Sequence, residues 1–192
     1  MEGVILKILS LCTVFSLILL GCANPNTKLL NDKTYPLNWP SINVTSDGQH
    51  FLDGTYSNVG ILIDDNTQES CFLSELFLGN KEIKDNQISL QVNSPPRRLS
   101  KIVLSWEGEA PGRQELPYSC AWSGSVLVCG VNQSSTSLSP AGMIMSGKTF
   151  YLAKGVDGSL ILKIEHQDAG LIVYMPFYSG KSYWGRFLPY EN

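Results

Sequence analysis

The sequence predicts a mainly β chain: an antiparallel barrel or sandwich of about seven to nine strands, with one short helix near 69–78. Three observations carry that expectation. Apolar and polar residues alternate through Ile88, Leu90 and Val92, through Ile102, Leu104 and Trp106, and through Leu160, Leu162 and Ile164. A period of two sends one face of a strand to a core and the other to water. Turn residues punctuate the alternation at Pro95-Pro96, Ala110-Pro111-Gly112, Asp157-Gly158, Asp168-Ala169-Gly170 and Ser179-Gly180. Finally, Cys120 and Cys129 bracket a stretch with Gly124-Ser125 at its centre.

That stretch reads as a hairpin. Glycine at the first central position of a two-residue loop suits a type II′ turn. The resulting register pairs Ser123 with Val126, Trp122 with Leu127, Ala121 with Val128 and Cys120 with Cys129. The cysteines fall in a non-hydrogen-bonded pair, whose Cα separation of about 4.5 Å lies within disulfide range. A Cys120–Cys129 disulfide is therefore expected. Cys71 is left unpaired beside Phe72 and Leu73, where it reads as a small apolar side chain rather than a reactive thiol.

The remaining elements follow the same logic. In 69–78, Leu73, Leu76 and Phe77 stand at helical spacing, and Gly79 suits a C-terminal residue of positive φ. An all-β assignment is the competing reading there. Further strands are expected over 149–154, 170–178 and 182–188. On the second of these, Leu171, Val173, Met175 and Phe177 share one face while Ile172, Tyr174 and Tyr178 share the other. Aromatic residues crowd this last third, so either both faces are covered or an aromatic patch is exposed for a glycan, a peptide or a partner.

The N-terminus has a different character. Lys7 precedes an apolar run from Ile8 that closes on Leu19-Leu20-Gly21-Cys22. This layout is that of a secretory signal and is too short for a comfortable membrane span. The closing tetrapeptide resembles the lipobox of bacterial lipoproteins, although Glu2 leaves the leading segment weakly basic. The resemblance implies cleavage after Gly21, lipidation of Cys22 and residence in the cell envelope. Ala23, where an aspartate usually signals inner-membrane retention, favours the outer membrane facing the periplasm. The expected organisation is a signal peptide over 1–21, the lipidated cysteine and a tether over 22–45, and a single β-rich domain over 46–192. Prolines and polar residues without apolar periodicity make the tether irregular. Tyr35, Leu37 and Trp39 within it are large enough to dock on the domain.

Composition narrows the chemistry. A net charge of −3 with 16% charged residues gives no electrostatic basis for binding nucleic acid. Two histidines, His50 and His166, limit acid–base and metal schemes, and neither stands in a metal-ligand spacing. No G-x-S-x-G elbow accompanies His166, which sits in Glu165-His166-Gln167-Asp168 beside an expected turn. Glu107 and Glu109 share a strand face but flank Gly108 and are expected to face water. Gly54-Thr55-Tyr56 is similar to the opening strand of lipocalin-like barrels, with Tyr in place of Trp. That resemblance implies an arginine from the last strand, here Arg186, covering Tyr56.

Together these readings lead to an expectation of a non-enzymatic, membrane-anchored lipoprotein, without catalytic residues, cofactor or metal. Its β domain would bind an envelope protein or glycan, and the lipid bilayer would hold it through acylated Cys22. A lipocalin-like carrier of an apolar molecule and an envelope hydrolase are the alternative expectations. Acylation has a direct assay. In bacteria fed labelled palmitate, the wild-type chain should take up label and Cys22→Ala should take up none.

Overall fold

The computed structural model describes residues 29–44, 51–64, 67–79, 83, 85–96, 98–108, 110–130, 134–138, 142–172 and 175–190. In 134–138, 142–143, 171–172 and 175–176 it describes the backbone alone. Cys22, His50 and Glu109 lie outside the described residues, as do the side chains expected to alternate over 171–176.

Among the described residues twelve strands, more than the seven to nine expected, and the helix that follows the third of them build the two sheets and their core. They are β1 (Gly54–Ser57), β2 (Val59–Asp64), β3 (Thr67–Phe72), α1 (Leu73–Leu78), β4 (Gln87–Asn93), β5 (Lys101–Trp106) and β6 (Gly112–Glu115). Then follow β7 (Ser119–Ser123), β8 (Val126–Gly130), β9 (Ser134–Leu138), β10 (Gly142–Lys154), β11 (Leu160–Ile172) and β12 (Met175–Phe187). One sheet has the order β1-β4-β5-β6; the larger runs β3-β2-β12-β11-β10-β8-β7, with β9 also paired to β10. Every pairing is antiparallel. The sheets do not close on each other, so the fold is sandwich-like and the barrel alternative is set aside.

The alternation read from the sequence builds the core. Ile88, Leu90, Val92, Ile102 and Leu104 point from the small sheet toward Leu127, Phe150, Leu152, Leu160, Leu162 and Phe187 of the large one, and all are buried. Phe77 of α1 joins Tyr118 and Phe150 in an aromatic cluster with centroid separations of 5.1–6.3 Å. The Tyr118 hydroxyl completes it by donating to the Phe77 carbonyl at 2.7 Å. The space between the sheets is thus filled by large side chains, Tyr56 among them.

Three local expectations hold. The 120–129 hairpin has the register derived above, Gly124 has φ of 60°, and Cys120 and Cys129 are bonded with Cα atoms 4.0 Å apart. Gly79 ends α1 with φ of 72° and donates its N–H to the Glu75 carbonyl at 2.9 Å. Gly158 takes φ of 82° in the turn before β11.

Two expectations need correction. The helix is six residues long and begins at Leu73, because residues 67–72 pair one by one with β2 as strand β3. Asp168-Ala169-Gly170 and Ser179-Gly180 are not turns. Asp168 pairs with Ser179 and Gln167 with Gly180, so the two segments satisfy each other within one long hairpin. The strands expected over 170–178 and 182–188 are in fact the far end of β11 and the whole of β12. Strands β10, β11 and β12 each have 13 residues, whereas the longest strand of the facing sheet has seven. Their distal halves therefore overhang the sandwich as an arm, which β9 widens.

The fold also depends on a buried asparagine. Phe72, at the helix N-cap, supplies no side-chain cap; Asn58, fully buried between β1 and β2, does so from outside the helix. Its Oδ1 accepts the Ser74 N–H at 3.0 Å, its backbone carbonyl accepts the Leu73 N–H at 2.8 Å, and its Nδ2 donates to the carbonyls of Ile83 and Asp85 at 2.9 Å. Donors that a helix start leaves unpaired are thereby satisfied.

Closing a short loop, the disulfide restricts the unfolded chain by an amount worth about 2–3 kcal/mol. The double variant Cys120→Ala/Cys129→Ala should lose about that much in urea unfolding, with a steeper denaturant dependence because its unfolded chain is no longer restricted.

Candidate functional site

The outer face of the large sheet departs from the usual hydrophobic-in, polar-out strand. On β11, the residues that alternate with the core set are Ile161, Lys163 and Glu165, and all three are buried. The cover is the N-terminal segment, residues 29–44. Leu29 and Trp39 pack with Val126, Tyr151, Ala153, Ile161 and Trp184 in a second apolar cluster. Tyr35 meets Trp184 edge-on at 5.0 Å between centroids and donates its hydroxyl to the Pro40 carbonyl. Leu37, grouped with these aromatics in the sequence, is fully exposed. Farther along, Ile42 bridges to Gly155, and Asn43 N–H donates to the Lys154 carbonyl at 2.8 Å. From Leu29 on, the expected tether is a strap seated on the domain.

Under the strap lies a charge network. Lys163 Nζ donates to Asp32 Oδ2 at 2.5 Å and to Glu165 Oε1 at 2.7 Å. The Tyr151 hydroxyl donates to Glu165 Oε2 at 3.1 Å. Asp32 Oδ1 accepts both the N–H and the hydroxyl of Thr34, whose oxygen in turn accepts the Trp184 indole N–H at 2.9 Å. Burial alone would raise the Asp32 carboxyl, but hydrogen bonds from Lys163 and Thr34 outweigh it and hold the group below its ordinary value of 3.8. Burial alone would lower the Lys163 ammonium; its bonds to Asp32 and Glu165 hold it above 10.5.

Beside the strap, Arg186 Nη2 pairs with Asp157 Oδ2 at 2.5 Å, and Asp157 also accepts the Ser159 hydroxyl. Tyr56 lies instead in the inter-sheet core, its hydroxyl donating to the Leu52 carbonyl at 2.7 Å. Arg186 faces outward on β12, so the arginine-over-tyrosine arrangement implied by the lipocalin-like resemblance is not formed. The reason is parity: Phe187 points inward, and its neighbour must point out.

A hollow of about 320 Å³ opens next to Arg186, between Val59 and Ile61 of β2, Gln68 and Ser70 of β3, and Leu188. Two further hollows of about 280 Å³ each sit on the arm and share Gln167 and Tyr178, which is 70% exposed. Gly147, Gln167 and Gly180 form one cross-strand row there, which leaves the floor low.

His166 does not lie at a turn. It stands mid-strand on β11, in a row with Lys148 and Lys181, and meets the Tyr183 ring edge-on at 5.8 Å. Burial, then the Lys148 charge, push its pKa below 6.5, partly offset by Asp168. Cys71 is half-buried against the core edge, and burial, then the Glu75 carboxylate, push its thiol up to about 11. Glu107 is exposed, and its N–H donates to Asp85 Oδ2 at 2.9 Å. No cluster of three His, Cys, Asp or Glu side chains with metal-site geometry occurs among the described residues.

The sequence reading missed the Lys163 network, the strap's seat and the hollow beside Arg186. A signal was present: Lys163 and Glu165 alternate with Ile161 on the face opposite Leu160 and Leu162, a pattern that by period alone reads as a wetted face. The chain matches no known protein family, no curated protein and no solved structure.

Strap docking should be pH-dependent at both extremes. Asp32, with its lowered pKa, contributes stability above its unfolded value near 3.8 that is lost as pH falls through the folded value. Lys163, with its raised pKa, contributes stability below 10.5 that is lost as pH rises through the folded value. Trp184 emission should stay unchanged between these limits and shift red beyond either one. Lys163→Met, which leaves buried Glu165 and half-buried Asp32 without their cation, should weaken docking by about 3 kcal/mol. Trypsin should then cut after Lys33 under conditions that leave the wild-type strap intact.

Proposed function

We propose that this chain is a membrane-anchored bacterial lipoprotein whose β domain binds a partner protein or polymer of the envelope, without catalysis. The observation that carries the reading is the strap. If Cys22 is acylated, only residues 23–28 separate the lipid from Leu29, which is buried on the domain. At most about 3.6 Å per residue, that link spans roughly 25 Å. An anchor so short, joined to a segment fixed by the Lys163 network, keeps the strap side of the domain close to the bilayer. Such tethering serves the presentation of a surface.

The domain also has surfaces to present. The overhanging arm carries the exposed Tyr178 ring above a low glycine-lined floor, and the open end of the large sheet carries exposed Val59, Phe72 and Leu188. An aromatic ring and adjacent apolar residues left in water are characteristic of binding faces. The carrier reading finds less support, because large side chains fill the space between the sheets.

The reading is tested by placing a photo-activated cross-linking residue at Tyr178 or at Ser70 of the full chain in cells. Discrete adducts of reproducible mass are expected from at least one position. They should disappear when Cys22→Ala releases the protein from the membrane. Absence of adducts from both positions overturns the reading.

A further inference from the structure

Among the described residues no strand pairs with the outer edge of β3, and that edge is built to accept one. In an antiparallel ladder, residues alternate between turning their backbone groups toward the neighbouring strand and away from it. Leu73 N–H donates to the Asn58 carbonyl, which continues the β2–β3 register of Val59 with Phe72 and Ile61 with Ser70. Leu73, Cys71 and Glu69 therefore face β2, and Phe72, Ser70 and Gln68 turn their N–H and C=O groups outward.

Apart from β9, which borders the arm, the other edge strands are treated differently. β7 is bridged to Ser100 through Cys120, β1 is bridged to Pro189 through Tyr56, and β6 has four residues with Arg113 and Glu115 among them. β3 has six residues, a continuous register, no proline and no lysine. Edges of this kind invite pairing, and proteins ordinarily blunt them with such devices.

The hollow beside Arg186 adds side-chain selectivity to that edge. It lies on the outer face, next to Ser70 and Gln68, with Val59, Ile61 and Leu188 as apolar walls. In the same wall Arg186 Nε is buried and has no hydrogen-bond partner among the described residues, although Nη2 is paired with Asp157. Because Asp157 already balances the guanidinium charge, an uncharged oxygen suits that donor better than a carboxylate.

We infer that β3 binds an extended segment of a partner protein by strand addition, with a large side chain opposite Ser70 entering the hollow beside Arg186. The side chain that fits has an apolar body and an uncharged oxygen near its tip, as tyrosine has. Main-chain bonds supply affinity, and the hollow supplies specificity. This rests on the binding reading above and names its partner class. A second copy of the chain fits less well. Setting its Phe72 opposite Ser70 leaves only residues 70–72 overlapping before α1 begins, and centring on Ser70 directs a serine at the apolar hollow.

The test uses the full chain in detergent and a synthetic array of extended peptides with alternating apolar and polar residues, the central position being Tyr, Leu, Ala or Asp. Hydrogen exchange is read residue by residue. The Tyr peptide should slow exchange at Gln68, Ser70 and Phe72 by about tenfold or more, with Leu weaker and Asp weakest. Ser70→Pro removes an outward N–H that the fold does not use, and edge strands tolerate such a proline. It should abolish protection at Gln68 and Phe72. Val59→Phe, which fills the hollow, should erase the preference for Tyr while leaving main-chain protection.

Protection that arises on the arm instead overturns strand addition at β3 but leaves the broader binding reading standing. Protection of β3 that grows with protein concentration without peptide assigns the edge to a second copy and overturns the inference. No protection by any peptide also overturns it. Cross-links in cells from Tyr178 or Ser70 would then still uphold the binding reading.

Discussion

One buried ammonium organises the outer face of this domain. Removing Lys163 from water costs several kcal/mol, and that cost is offset only where good geometry brings enough acceptors to it. Glu165 stands two residues along the same strand face, so half of the compensation exists before the strap arrives. Asp32 supplies the rest from 131 residues away in sequence. A slip of the strap by one residue would remove Asp32 and strand the charge. Leu29, Trp39 and Tyr35 supply apolar contact, which is tolerant of position. The network is not tolerant, and it fixes the register in which those side chains settle.

What could be read from the sequence was whatever is written within one or two neighbouring strands. Gly124-Ser125 determines a turn, the turn determines a register, and the register brings Cys120 to Cys129. Ile88, Leu90 and Val92 declare their face by alternation. Gly79 declares a helix end. What could not be read depends on partners distant in sequence. Asp168-Ala169-Gly170 has the composition of a turn, and only its pairing with residues 177–179 makes it strand. The charges of Lys163 and Glu165 have the pattern of a wetted face, and only residues 29–44 bury them. Tyr56 and Arg186 are matched by position at the two ends of the domain, yet Tyr56 points from the small sheet into the core, while strand parity turns Arg186 to the outer face of the large sheet.

Asn58 imposes a further constraint, because it fixes the point where β3 becomes α1. One side chain and its own backbone hold Leu73, Ser74 and the chain at Ile83 and Asp85. A free edge strand gains affinity for another strand only to the extent that it is already ordered, since ordering on binding subtracts from the interaction. β2 holds β3 along its length and Asn58 holds its end. The exposed edge is therefore stiff, and Gln68, Ser70 and Phe72 keep their outward spacing.

The strap and the open edge are not independent. Trp184 and Arg186 lie two residues apart on the outer face of β12: the first anchors the strap through Thr34, and the second forms a wall of the hollow beside β3. Arg186 is held in turn by Asp157, in the turn that follows the strap's bridge at Gly155. Whatever loosens residues 29–44 frees Trp184 first, and the next outward residue on that strand is the arginine of the hollow. Under the proposed anchoring, the segment that joins lipid to domain therefore also steadies the wall against which a partner's side chain would rest. Under that proposal, attachment to the membrane and readiness to bind both depend on the same packed face.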